Sequence, residues 1–172
     1  MATMYYAKIN VNKEIYSVYN NKITIDKILD KLYSSNWQKE KLLVATKEKD
    51  DTGKPLNETI KFISIDKKPD QNILVGRMAK IFQDELALYN EDLDDIQDLP
   101  TKSLTRSIPF FFDVNHEIVA FIPKQQFSKE LFVRCFETLI NKLYGDEMFK
   151  VFLKQNMGDF EKKLKFLSSI RS

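Results

Sequence analysis

The chain has one histidine, His116, and one cysteine, Cys135. His116 stands between Asp113 and Glu117, and a histidine beside a carboxylate can move protons in acid–base chemistry. No nucleophile accompanies it at a recognisable spacing, and Cys135 falls on the apolar stripe of an expected helix. The reading for His116 is therefore a turn histidine in solvent. One His and one Cys are also too few ligands for a zinc site. The other candidate is acidic: residues 84–98 hold seven carboxylates and no basic side chain. Among them Asp92, Asp94 and Asp95 are oxygen ligands of the type Ca²⁺ and Mg²⁺ prefer. The stretch lacks the glycine and the terminal Glu spacing of an EF-hand, so a solvated acidic loop is expected. No catalytic residue, metal ligand or cofactor is assigned. The enzymatic alternative is a Mg²⁺-dependent nuclease using these aspartates.

Residue types suited to binding are more widespread. Arg106, with Ser103 and Thr105 just before it, can contact phosphate. Lys162, Lys163, Lys165 and Arg171 decorate the last segment of the chain. Tyr5, Tyr6, Tyr16 and Tyr19 stand near Lys8, a mix of aromatic and basic groups that can stack bases. These are the candidate nucleic-acid contacts. The charge balance tempers them: the net charge is only +2. Residues 1–83 hold 15 basic and 10 acidic side chains, and residues 124–172 hold 10 and 6. That is a mild surplus without the dense basic run of a strong electrostatic footprint.

The elements that must position these groups centre on residues 107–143. Ser107-Ile-Pro-Phe-Phe-Phe-Asp113 reads as a strand, Val114-Asn115-His116 as a tight turn, and Glu117-Ile-Val-Ala-Phe-Ile122 as the returning strand. Side chains alternate across a strand, yet both faces here are apolar, so each face needs a cover. A helix from Ser128 to about Leu143 can supply one. Leu131, Phe132, Cys135, Phe136, Leu139, Ile140 and Leu143 give it a single buried stripe, Ser128 an N-cap and Gly145 a stop. The second cover must come from elsewhere in the chain or from a second copy, which makes Phe110, Phe111, Phe112 and Phe121 candidate interface residues.

Upstream, strands are expected at 4–10, 14–19, 41–46, 58–65 and 73–82, with a helix over 25–35 capped by Thr24. Trp37 is expected as a packing anchor. Gly76 inside a strand suggests a bulge or a close backbone approach. Downstream, Met148, Phe149, Phe152 and Leu153 suggest a short amphipathic helix, followed by another around Phe160–Ile170. The fold class is therefore α+β: a largely antiparallel sheet of about seven strands, one early helix and C-terminal helices. Residues 1–144 are expected to form the domain. Residues 145–172 are expected as a helical appendage, or as the start of a truncated second domain. At 172 residues and 43% hydrophobic content there is ample material for a core. No disulfide can form within a chain of one cysteine, and the sequence shows neither a secretory signal nor an apolar run of membrane-spanning length. A reducing cytoplasm is the expected compartment.

Three stretches together carry a family resemblance: Met4-Tyr-Tyr-Ala-Lys-Ile-Asn10, Ile73-Leu-Val-Gly-Arg-Met-Ala-Lys-Ile81, and 107–113 running into 118–122. In this order they resemble the N-terminal domain of RexA-type phage-exclusion proteins and their prophage and mobile-element relatives, over roughly residues 4–143. The resemblance is a pattern of strands and aromatics with no catalytic signature. It implies an intracellular protein of bacterial or phage origin acting in abortive infection or superinfection exclusion. It also implies self-association and contact with DNA irrespective of sequence. Such proteins continue into a second domain, from which nothing can be carried over to these residues. The expectation is a non-enzymatic binding and assembly domain, a homo-oligomer contacting nucleic acid. The alternatives are the nuclease above, or an inhibitor that binds a phage or host enzyme.

Overall fold

A computed structural model of the chain describes residues 3–11, 24–49, 53, 55–82, 106–125 and 127–154. They form a seven-stranded antiparallel sheet with two helices, an α+β fold. In chain order the elements are β1 (Tyr5–Val11), α1 (Ile25–Tyr33), β2 (Lys41–Lys49), β3 (Pro55–Lys68), β4 (Ile73–Phe82), β5 (Arg106–Asp113), β6 (Ile118–Phe121), α2 (Lys129–Tyr144) and β7 (Phe149–Lys154). The strand order is β2-β3-β4-β5-β6-β1-β7. Four consecutive hairpin connections run from β2 to β6, and β1 then inserts between β6 and β7.

Period-two alternation sorts the side chains onto two faces. One face carries Ala7 and Ile9, Ile60 and Phe62, Leu74 and Met78, Ile108, Phe110 and Phe112, Val119 and Phe121, and Phe149 and Val151. The helices pack here through Ile28, Leu29 and Leu32 of α1 and Phe132, Cys135, Phe136, Leu139 and Ile140 of α2. The centre is aromatic. Trp37 stands with its ring centroid 5.0 Å from Phe62 and 5.9 Å from Phe112, and its indole N–H donates to Leu32 O at 3.0 Å. Phe121 stacks on Phe132 at 4.0 Å and 17°. Ring pairs in these geometries add to simple area burial. Thr24 accepts from Lys27 N and Ser128 from Leu131 N, so both helices begin on their expected caps. Gly145 ends α2 at φ +94°, a left-handed conformation that favours glycine.

Gly76 marks a close approach: a Cβ there would run into the Ile65 side chain and stand 3.3 Å from the Phe110 ring. The bulge lies in the neighbouring strand, where the β3–β4 register shifts between Ile63 and Asp66 and Ser64 takes φ +53°. One ion pair is enclosed on the helix-bearing face: Glu58 and Lys80 meet at 3.2 Å, about a tenth exposed each, with the Lys80 ammonium 5.9 Å from the Phe127 ring centre.

Two expectations are corrected. Residues 149–154 are a strand. Phe149 and Val151 face the core while Lys150, Phe152 and Lys154 face solvent. The apolar positions 148, 149, 152 and 153 fit a helical stripe as well as a strand. Backbone pairing with β1 over six residues decides for the strand. The segment after Gly145 therefore joins the domain through the sheet. In the same way β1 takes β6 and β7 as its neighbours; its expected hairpin partner at 14–19 lies outside the described residues. Among the described residues the sheet has seven strands, with 149–154 one of them.

Candidate functional site

The sheet face turned away from the helices carries two small buried clusters, Ile63 with Ala79 and Ile81, and Tyr6 with Ile118, Ala120 and partly Phe111. Toward the β7 edge this face changes character. Lys150, Phe152 and Lys154 alternate along the strand and are all exposed, Phe152 at 52%. Across on β1, Asn10 lies opposite Lys150, Lys8 opposite Phe152 and Tyr6 opposite Lys154. Residues two apart on a strand are about 6.7 Å apart, so the two β7 lysines stand roughly 13 Å apart with an aromatic ring between them.

These cations are held at their rims. Lys8 donates to His116 O at 2.9 Å and pairs with Glu117 at 3.2 Å. Lys150 lies 3.7 Å from Glu137. The Lys150 pair, long and exposed on the lysine side, contributes little and is readily exchanged, whereas the Lys8–Glu117 pair is half-buried. Lysines beside a projecting ring can neutralise phosphates and stack a base.

Reading 148–153 as a helix hid this patch, because alternation along β7 places Lys150, Phe152 and Lys154 on one face whereas a helix scatters them. The usable signal was the run Phe149-Lys-Val-Phe-Leu-Lys154, in which 150, 152 and 154 form one period-two set.

The residues singled out from the sequence are dispersed. Phe110, Phe112 and Phe121 are at most 2% exposed within the chain's own core. They are corrected from interface to core residues, since a ring enclosed by its own helices offers nothing to a partner. Phe111 alone of that set faces the opposite side, half-buried. Arg106 begins β5 half-buried, in phase with Ile108 and Phe110 on the helix-bearing face, and its Nε is enclosed without a hydrogen-bond partner. It is therefore not part of the β1–β7 patch. Tyr5 also faces the helices, stacked 6.2 Å from Phe121 with the Lys129 ammonium 4.7 Å above its ring. Lys162, Lys163, Lys165, Arg171, Ser103, Thr105, Tyr16, Tyr19 and the acidic stretch 84–98 lie outside the described residues.

His116 braces the β5–β6 turn. Its Nδ1 lies 2.9 Å from Asp113 Oδ2 and its backbone N–H donates to Asp113 Oδ1 at 3.2 Å. Asp113 is only 3% exposed, so this carboxylate is committed to the turn. Asn72 ties the same turn to β4 by donating to Asn115 Oδ1 at 2.8 Å. Cys135 is buried, and desolvation pushes its thiol from 9.0 up to about 11, away from nucleophilic use. Among the described residues no group of three or more His, Cys, Asp or Glu could hold a metal, and no helix is long and apolar enough to cross a membrane.

One open depression of about 680 Å³ lies where α2 ends against β7, lined by Glu137, Asn141, Lys142, Asp146, Glu147 and Lys150 among others. Two of its polar groups are already occupied. Asn141 both accepts from Phe149 N at 2.8 Å and donates to Phe149 O at 3.1 Å, and Glu137 accepts from Val151 N at 2.9 Å.

The class defined by these features is an antiparallel α+β domain with one face packed on helices and a lysine–phenylalanine patch at the edge of the other. No protein family, curated protein or solved structure matches the chain.

Proposed function

We propose that this chain is a non-enzymatic binding and assembly domain that contacts nucleic acid through the outer face of β1 and β7. Its wider role in this proposal is phage exclusion in the cytoplasm, as the RexA-type resemblance implies, and it works as a homo-oligomer. The observation that carries the binding part is the exposed Lys150–Phe152–Lys154 alternation with Lys8 beside it. Three cations on one face offer a track for phosphates, and binding of this kind releases counterions and weakens steeply with salt.

The test is fluorescence anisotropy with labelled DNA and RNA at 50 and 200 mM salt. Binding should weaken as salt rises, and the double substitution Lys150→Glu with Lys154→Glu should reduce affinity by about tenfold or more, since each phosphate contact contributes to the salt-dependent term. Because Lys150→Glu sets a carboxylate near Glu137, a thermal melt of the double variant checks that it stays folded under the assay conditions. Full-strength binding by the double variant would remove β7 from the contact surface. No binding to either nucleic acid at low salt would end the reading.

A further inference from the structure

We infer that the strand taken by the β1–β7 face is single-stranded, with one base stacked on Phe152. This rests on the nucleic-acid reading above and goes further, because it assigns the ring a job that charge alone does not require. Phe152 is the most exposed aromatic side chain among the described residues, at 52%. Rings elsewhere on the sheet are spent: Tyr5 and Phe121 stack on each other, Phe110, Phe112 and Phe149 are enclosed, and Tyr6 is 5% exposed. An aromatic left in water on a strand that buries its alternate residues is open to an occupant.

The neighbours of Phe152 select that occupant. Lys150 and Lys154 lie one step along the strand on either side, and Lys8 lies directly opposite. A ring flanked along its strand by two lysines, with a third at the opposite register position, matches a base whose adjoining phosphates long lysine side chains can reach on both sides. In a duplex the base faces are stacked on one another and unavailable, so the ring would gain nothing there. A second β-strand is a poorer fit, because the outward N–H groups of Phe149 and Val151 are already held by Asn141 and Glu137. An edge sealed in this way does not invite augmentation. Phosphates would displace Glu137 from Lys150, whose side chain is exposed, and compete with Glu117 for the half-buried Lys8.

Phe152→Trp places a fluorescent reporter at the stacking position. The chain's other tryptophan, Trp37, is 1% exposed in the core and gives a background insensitive to ligand. The full chain is titrated with a mixed-sequence single-stranded oligonucleotide, its duplex, heparin, and poly-glutamate. The single strand should quench the reporter and bind more tightly than the duplex. Phe152→Ala should weaken single-strand binding by about five- to 150-fold, the equivalent of one stacked base, while leaving heparin binding unchanged. Single strand and duplex binding equally, with Phe152→Ala silent and no quenching, would overturn the stacking inference yet leave the nucleic-acid reading standing. Poly-glutamate matching the single strand would overturn it in favour of an acidic protein partner. If none of the four binds, both readings fall together.

Discussion

Cys135 shows how completely a single residue's chemistry is set by its surroundings. It lies on the core side of α2, and its thiol is raised mainly by desolvation, with Glu58 adding to the rise and Arg134 and Lys80 opposing it. Between 9.0 and about 11 an unfolded chain sheds the thiol proton while the folded chain keeps it. Folding then takes up a proton, so this contribution to stability is whole below about pH 9 and is lost as pH rises toward 11. The difference in urea-unfolding free energy between wild type and Cys135→Ala should therefore shrink by roughly 2 kcal/mol between pH 8 and pH 10.5. A difference that stays constant over that range would mean the thiol titrates alike in both states. The same burial predicts that the native chain resists thiol-specific labelling at pH 8 until denaturant is added.

At the scale of elements, the notable device is the contact of α2 with β7. An edge strand presents unpaired backbone groups that invite another strand. Here Asn141 imitates a neighbouring strand by satisfying both the N–H and the C=O of Phe149, and Glu137 takes the next outward N–H at Val151. The same turn of α2 sends Lys142 to Lys41 O at 3.0 Å, so one helix end ties down both edge strands of the sheet. Asn141→Ala removes two part-buried hydrogen bonds at once and should destabilise the chain by about 1–3 kcal/mol, read from urea unfolding. Hydrogen exchange at Phe149 should quicken more than at Ile9 in the sheet interior. Asn141→Asp retains the acceptor for Phe149 N but loses the donor to Phe149 O. It also turns a carboxylate oxygen toward Phe149 O at the helix C-terminus, so its cost should not fall below that of Asn141→Ala.

For the whole molecule, the two faces of the sheet differ in character. One is closed by α1 and α2 around the Trp37 cluster, and the other carries the lysine–phenylalanine patch. Self-association in the proposal is assigned to the outer face at β2. Leu43 there is 70% exposed, on the side of the sheet away from the helices. Sedimentation velocity from 1 to 100 μM, a range on the order of ordinary weak association, should show the sedimentation coefficient rising with concentration. Leu43→Glu should abolish that rise without lowering the melting temperature. A wild-type chain that stays monomeric throughout would remove assembly from the proposal.

The sequence by itself determined most of the elements. The stripe on 131–143, the caps Thr24 and Ser128, and the alternation of Phe110 and Phe112 against Phe111 are local patterns, fixed by helix and strand periodicity, and all three are seen in the fold. Trp37 as an anchor was legible because a lone tryptophan beside an amphipathic helix has few places to go but inward. The tertiary structure alone decided that 149–154 is a strand and that β1 lies between β6 and β7. A six-residue run is too short for its apolar positions to separate strand from helix, and only the partner's backbone breaks the tie. The candidate site shared that fate. Lys8 and Phe152 are 144 positions apart in sequence, and it is the β1–β7 register that sets them side by side.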